Sequence, residues 1–291
     1  MENGVETNQK PKTDYSIGNR QHLRWAIGNE MAVLVLSCDK YSDAWEPFFN
    51  MYFRYWEDCP YKIYLCSETK DFNHPRVKTI KPDKVLGWSE LFQWALDYVE
   101  EDYFILLLED YIFLKPVSTE RIENHFKILK DTNSNYLRLF PCPGPDEPLE
   151  GYPGIGVIKP DSAYRTCTQA AIWKKEALQS IIDPTENPWE FETIGVKRAK
   201  KLEGMFLCVE IDEKGDPLEE GDYPITYYCT AINRGKWRRS AVKIIRKHGF
   251  KVDLKARPQE SLTTTYKFIL RRKYLELRGV SPLTFEKIKN R

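Results

Sequence analysis

Hydrophobic residues follow two rhythms along this chain, and the switches between them predict most of its elements. Ala32–Ser37 is an apolar run that reads as a buried strand. Ser42–Trp56 then places Trp45, Phe48, Phe49, Tyr52, Phe53 and Trp56 at helical spacing. Strands are expected at Tyr61–Ser67 and Val77–Ile80. A helix at Ser89–Val99, capped by Ser89, and a strand at Tyr103–Leu108 follow. Strand, helix, strand, strand, helix, strand is the order of a mostly parallel sheet with helical crossovers. Farther on, a helix at Ile122–Lys130 and a strand at Tyr136–Phe140 lead into a Pro/Gly-rich loop, Pro141–Pro160. Loops of that length in compact domains are usually binding loops or lids. A strand at Tyr164–Trp173, helices at Lys174–Ile182 and from Pro188 to Leu202, and a strand-like run at Ile225–Ile232 come next. Helices near Ser240–Lys247 and Thr263–Arg278 close the pattern, with no internal repeat and a weakly specified last dozen residues.

One break in this pattern carries chemistry. The uncharged strand Tyr103–Leu108 runs into Glu109-Asp110, after which apolar residues resume. A strand buried on both faces offers a carboxylate no water, so acids there are costly unless paired or bound to a cation. Open α/β sheets bind ligands at the carboxyl ends of their strands. Two acids at such an end suit a hard divalent cation shared with a diphosphate. The plainer alternative is a turn whose acids pair with nearby Lys or Arg.

A second acidic run is Asn187-Pro188-Trp189-Glu190-Phe191-Glu192. Asn187 suits a helix N-cap, Pro188 the first helical position, and Glu190 the capping-box position. Capping accounts for Glu190. Glu192 lies roughly 200° around the helix from it and can face the carboxyl edge of the sheet. There it could act as a general base toward a substrate hydroxyl, or it could be a solvated helix acid.

Composition bounds the class. The 291 residues, 30% charged and 42% apolar or aromatic, are enough for one large α/β domain with an appendage. The formal charge of +1 hides an asymmetry: residues 234–291 hold 18 Lys/Arg against 4 Asp/Glu, a net of +14, and residues 1–233 net −13. Such a basic tail suggests an anionic partner. No run approaches the ~20 apolar residues of a membrane span. Met1–Arg20 is polar and lacks the apolar core of a signal peptide, so residues 1–28 are expected to be a disordered leader. The seven cysteines show no C-x-x-C spacing and several fall in apolar runs, as expected of reduced thiols in the cytoplasm.

The order of the segments resembles a family. Thr168-Gln169-Ala170-Ala171-Ile172-Trp173-Lys174-Lys175-Glu176-Ala177-Leu178, then Glu192, then Arg198 six residues on, is similar to the second half of inverting GT-A glycosyltransferases. Glu109-Asp110-Tyr111 stands where that family has an Asp-x-Asp motif, without completing it. Leu36–Asp43, Trp88-Ser89 and Asn187–Glu192 resemble stretches of bacterial polysaccharide-cluster proteins. The likeness spans Ala32 to Leu202, and more loosely to Arg257.

The resemblance implies a GT-A fold, a Rossmann-like, mostly parallel α/β sheet flanked by helices, over residues 29–233. A basic helical C-terminal region would occupy 234–291. It implies transfer of a sugar from a nucleotide-sugar donor to a glycan or lipid-linked acceptor, with inversion. Glu192, or Glu190 two residues earlier, would be the base, and Arg198 would orient it or neutralise charge. Ser37, Asp39, Tyr41, Glu68, Trp88 and Ser89 would contact the donor. Asp110 and Glu109 would hold Mg²⁺ or Mn²⁺. The expected setting is cytoplasmic, peripheral at the inner face of the plasma membrane, with the basic region on anionic lipid. Nucleic acid is not expected, since no nucleic-acid fold signature accompanies the basic residues. Two alternatives stay open: a non-catalytic membrane-bound scaffold, and a sugar-phosphate nucleotidyltransferase. The latter usually needs a Gly-rich loop after the first strand, where this chain has Cys38-Asp39-Lys40-Tyr41-Ser42.

Overall fold

The computed structural model describes residues 30–211 and 220–277. The expected leader and the last residues of the basic region lie outside the described residues. The elements are β1 (Met31–Leu36), α1 (Ser42–Tyr55), β2 (Lys62–Cys66), β3 (Val77–Ile80), α2 (Trp88–Tyr98), β4 (Tyr103–Leu108), β5 (Ile112–Phe113) and α3 (Thr119–Asp131). There follow β6 (Tyr136–Arg138), β7 (Glu147–Pro148), β8 (Ile155–Val157), β9 (Ala171–Lys174), α4 (Lys175–Gln179), α5 (Pro188–Ala199) and β10 (Phe206–Val209). The C-terminal part holds β11 (Tyr227–Tyr228), β12 (Ile232–Asn233), β13 (Lys236–Trp237), α6 (Arg239–Lys247) and α7 (Leu262–Leu277).

Nine strands form one sheet in the order β3-β2-β1-β4-β9-β6-β10-β8-β7. The first four are mutually parallel, β9 enters antiparallel between β4 and β6, and β10 runs parallel to β6. The β4–β9 ladder ends at the pair Leu106↔Ala171.

Period-two alternation sorts the side chains into two layers. Met31, Val33, Val35, Ile105 and Leu107 face Phe48, Phe49 and Tyr52 of α1 and Ile122, Phe126 and Leu129 of α3. Ala32, Leu34, Leu36, Phe104 and Leu106 face Leu91, Phe92, Ala95 and Leu96 of α2 and Phe191 of α5. Trp56, fully buried, donates its indole N–H to Thr119 Oγ1 at 2.9 Å and so ties the end of α1 to the start of α3. Truncating such a Trp to Ala costs about 3–5 kcal/mol.

The structure corrects several expected elements. Gly87, not Ser89, stands at the N-cap of α2, where its N–H donates to Glu90 Oε2 at 2.8 Å. The strand expected over Tyr164–Trp173 is regular only as β9, because Thr166 and Thr168 bond to α5 instead of to a ladder. The long loop holds the β7–β8 hairpin, and β10 was not foreseen at all. The expected boundary between 233 and 234 falls inside the β12–β13 hairpin. Ala231, Ile232, Trp237, Ala241, Val242 and Ile245 share one core with Ala44 and Met51 of α1 and Ile112 of β5. The basic segment therefore packs on the main sheet's own helix beyond α6, through Val252 and the Arg257–Asp43 pair. Among the described residues no helix is long and apolar enough to cross a membrane.

Candidate active site

β1, β2 and β4 point their carboxyl ends to one edge, and the turns there carry most of the candidate residues. Ser37 is nearly buried, takes the indole N–H of Trp45 at 2.7 Å, and hydrogen-bonds the Glu109 carboxylate. Asp39 faces the turn after β2. Its carboxylate accepts the amides of Glu68 at 3.2 Å, Thr69 at 3.1 Å and Lys70 at 3.1 Å, and the Thr69 hydroxyl at 2.5 Å. The Asp39 amide in turn donates to Glu68 Oε2 at 3.0 Å. Burial alone would raise the Asp39 pKa, but these hydrogen bonds outweigh it and hold the carboxyl below its usual value. Asp39 and Glu68 are thus a reciprocal staple between two turns.

Glu109 and Asp110 are built differently. Burial, then the charge of Asp110, pushes the Glu109 carboxyl well above the usual range. Burial raises Asp110 as well, opposed by the Ile232 amide, 3.3 Å from Oδ2, and by the more distant charges of Arg238 and Arg257. Two adjacent carboxylates, Glu109 buried and Asp110 half-buried, are both raised despite these donors and their own amides, and a bound cation would offset their charge. Their oxygen donors fit Mg²⁺ or Mn²⁺. Among the described residues no three His, Cys, Asp or Glu gather as a metal cluster, so a diphosphate and water would complete the shell. Cys38 is close by, but burial and then Glu109 push its thiol up to about 11, so it stays protonated at neutral pH and is a poor ligand.

α5 approaches the same edge. Its N-terminus is capped as expected: Asn187 Oδ1 accepts the amides of Trp189 and Glu190 at 3.0 and 3.1 Å, and Glu190 Oε2 accepts the Asn187 amide at 2.9 Å. Glu190 is exposed, and capping occupies it. Glu192 turns inward, where Oε1 accepts both the amide and the hydroxyl of Thr168, at 2.8 and 2.7 Å. Tyr111 donates its hydroxyl to the Thr168 carbonyl at 2.9 Å. The residue that follows the acid pair therefore bonds the residue that holds Glu192. Tyr111 is itself stacked on Tyr227, centroids 4.4 Å apart.

Arg198 is held by the loop that precedes α5. Its guanidinium pairs with Glu186 at 2.9 and 2.5 Å and bonds the Ile181 carbonyl at 2.5 Å, bracing the loop between α4 and α5. Trp88 is half-buried against Phe92 and Phe191, centroids 5.5 and 5.7 Å away, and so sets the start of α2 beside α5. Ser89 is fully buried at the start of α2. Thr168, which holds Glu192, was not among the expected site residues. Its signal was present: Thr166-Cys167-Thr168-Gln169 interrupts the apolar run with hydroxyls that a ladder does not need.

A scan against protein-family models and a search of curated proteins find no match. Solved structures do match. Staphylococcus aureus TarS, residues 1–349, in complex with UDP is similar at 12% identity and a TM-score of 0.47, covering 70% of this chain and 61% of that one. Drosophila β1,4-galactosyltransferase 7 with manganese, UDP-Gal and xylobiose is similar at 11% identity and a TM-score of 0.34, covering 70% of this chain and 71% of that one. The matches also include a CMP:2-keto-3-deoxy-manno-octonic acid synthetase complexed with CTP, at 10% identity, a TM-score of 0.35, and coverage of 62% of this chain and 90% of that one. The chain spans less than two thirds of the TarS–UDP chain.

Proposed function

We propose that this chain is a nucleotide-sugar-dependent glycosyltransferase acting with inversion on a glycan or lipid-linked acceptor in surface polysaccharide synthesis. The observation that carries the reading is the chain of hydrogen bonds Tyr111–Thr168–Glu192, which links the candidate base to the residue that follows the acid pair at the carboxyl edge of the sheet. Glu192, fixed by two hydrogen bonds, takes the proton of the acceptor hydroxyl as its oxygen attacks the anomeric carbon and the nucleoside diphosphate leaves from the opposite face. Glu109 and Asp110 would hold Mg²⁺ or Mn²⁺, whose charge would offset that of the leaving diphosphate. Ser37 orients Glu109, and the turn Asp39–Tyr41 meets the nucleoside.

The test is turnover of a panel of nucleotide sugars, read as release of nucleoside diphosphate. Glu192→Gln should lower turnover by roughly 10²–10⁴-fold with donor affinity little changed. Full activity in that variant rules Glu192 out as the base. Wild type that binds nucleotide sugars without turning them over favours the scaffold alternative. A nucleotidyltransferase would instead consume a nucleoside triphosphate and release pyrophosphate.

The acceptor reading extends to location, in the cytoplasm at an anionic membrane surface. Arg234, Lys236, Lys243, Arg246 and Lys247 are exposed on the β12–β13 hairpin and α6. Leu262, Tyr266, Leu270 and Tyr274 are exposed on α7. Basic residues near such a surface contribute about 1 kcal/mol each. The side chains of Arg271, Arg272 and Lys273, the cluster expected to face lipid, lie outside the described residues. The protein should sediment with phosphatidylglycerol vesicles and leave them at high salt. Absence of sedimentation at low salt refutes this location.

A further inference from the structure

The C-terminal segment reaches the donor edge through one buried side chain. Arg257 is 5% exposed. Its Nε and Nη2 hold both oxygens of Asp43, at 2.9 and 2.8 Å. Nη2 also donates to the Lys40 carbonyl at 2.6 Å, and Nη1 to the Gly235 carbonyl at 3.2 Å. The guanidinium carbon lies 4.4 Å from the centroid of the Tyr41 ring. Four of its five N–H groups thus have partners, and the planar fork matches the carboxylate as an ammonium could not.

The base from which Arg257 reaches is itself fixed. The Trp237 amide donates to the Pro258 carbonyl at 3.0 Å and the Glu260 amide to the Trp237 carbonyl at 2.9 Å, so residues 258–260 lie along β13. The Arg257 amide bonds the Asp253 carbonyl at 3.2 Å. Asp43 and the Lys40 carbonyl belong to the turn and first helical turn after β1. In the structure Arg257 contacts three consecutive features there: the backbone of Lys40, the ring of Tyr41 and the carboxylate of Asp43. A residue more than 210 positions away in sequence thereby fixes a turn whose other side is stapled by Glu68.

We infer that Arg257 is a positioning residue for the donor: by clamping Lys40, Tyr41 and Asp43 from the C-terminal segment, it holds the nucleoside-facing turn in its binding conformation. This rests on the reading of the turn after β1 as the nucleoside site. It makes that site a joint product of the two ends of the described chain, and donor affinity a property of the docked C-terminal segment.

The experiment uses the full chain and two probes with Mn²⁺: a panel of nucleoside diphosphates (ADP, CDP, GDP and UDP), and pyrophosphate, which has no nucleoside. Affinities are measured calorimetrically for wild type, Arg257→Lys and Arg257→Gln, with far-UV dichroism to verify folding. Arg257→Lys keeps the charge beside Asp43 and guards against a Gln variant that does not fold. Both variants should weaken the best nucleoside diphosphate about tenfold or more while pyrophosphate affinity stays within about twofold. Hydrogen exchange at the amides of residues 40–43 should speed up in parallel. Unchanged nucleoside diphosphate affinity in folded Arg257→Lys overturns the inference. So does an equal loss for both probes, which marks a general effect of charge or folding. Wild type that binds no nucleoside diphosphate removes the donor reading itself, and this inference falls with it.

Discussion

The turn after β1 and the turn after β4 leave neighbouring parallel strands at the same edge of the sheet, paired up to Leu36↔Leu108, and both present carboxylates. Asp39, in the first, accepts three amides and a hydroxyl, and its carboxyl is held below its usual value. Glu109, buried, and Asp110, half-buried, adjoin each other in the second, and both are pushed up despite a serine hydroxyl, the Ile232 amide and their own amides. The same residue class, in adjacent turns, is satisfied in one and strained in the other. A satisfied acid stabilises the fold and has little left to offer a ligand. An acid pair raised by desolvation in spite of its donors is the place where a ligand's charge would be felt.

The contrast can be broken by substitution. Asp110→Asn should lower Mn²⁺-supported turnover by about 10²-fold or more, if the lost contribution is several kcal/mol. The melting temperature should hold or rise, because a neutral amide replaces a half-buried acid whose pKa desolvation has raised. A melting temperature that drops sharply would place Asp110 with the structural acids. Asp39→Asn should do the reverse and cost about 1–3 kcal/mol of stability by denaturant titration, since amides directed at a charge lose it. The Asp39 carboxyl is lowered in the fold, so its contribution is complete above the unfolded pKa and fades as pH falls through the folded one. The stability gap between wild type and Asp39→Asn should therefore close below about pH 4. A gap constant from pH 7 to 3 would mean that the amides need only an oxygen, not a charge.

α5 offers the smallest and sharpest form of the same contrast, two glutamates two positions apart. Glu190→Gln should cost about 0.5–2 kcal/mol of stability if it matters to the cap, and leave turnover intact. Loss of turnover there, with Glu192→Gln still active, would exchange the two assignments.

The sequence made parts of this legible and hid others. β1, α1 and β4 were readable because their apolar spacing is long enough to fix a period. Asn187, Pro188 and Glu190 were readable because capping is local chemistry. β10 is four buried residues and β9 runs antiparallel, and neither a four-residue apolar run nor a strand's direction has a periodic signature. Arg257 was one of 18 basic residues in its region, and nothing nearby in sequence distinguishes the one that is buried. The contacts of Arg198 were hidden for a related reason. Six residues after Glu192 locates it on the helix, but its partner Glu186 precedes the helix altogether.

The antiparallel entry of β9 has a consequence for how the site tolerates change. Glu109 and Thr168 stand equally far, three residues each, beyond the last ladder pair Leu106↔Ala171. The ladder acts as a ruler: the spacing between the acid pair and the anchor of Glu192 is measured in backbone hydrogen bonds, not in side chains. A one-residue slip would turn Trp173 and Ala171 to the opposite layer and is barred by burial on both faces. Residues at either end of the ruler can therefore be exchanged for new chemistry while the separation between them is conserved.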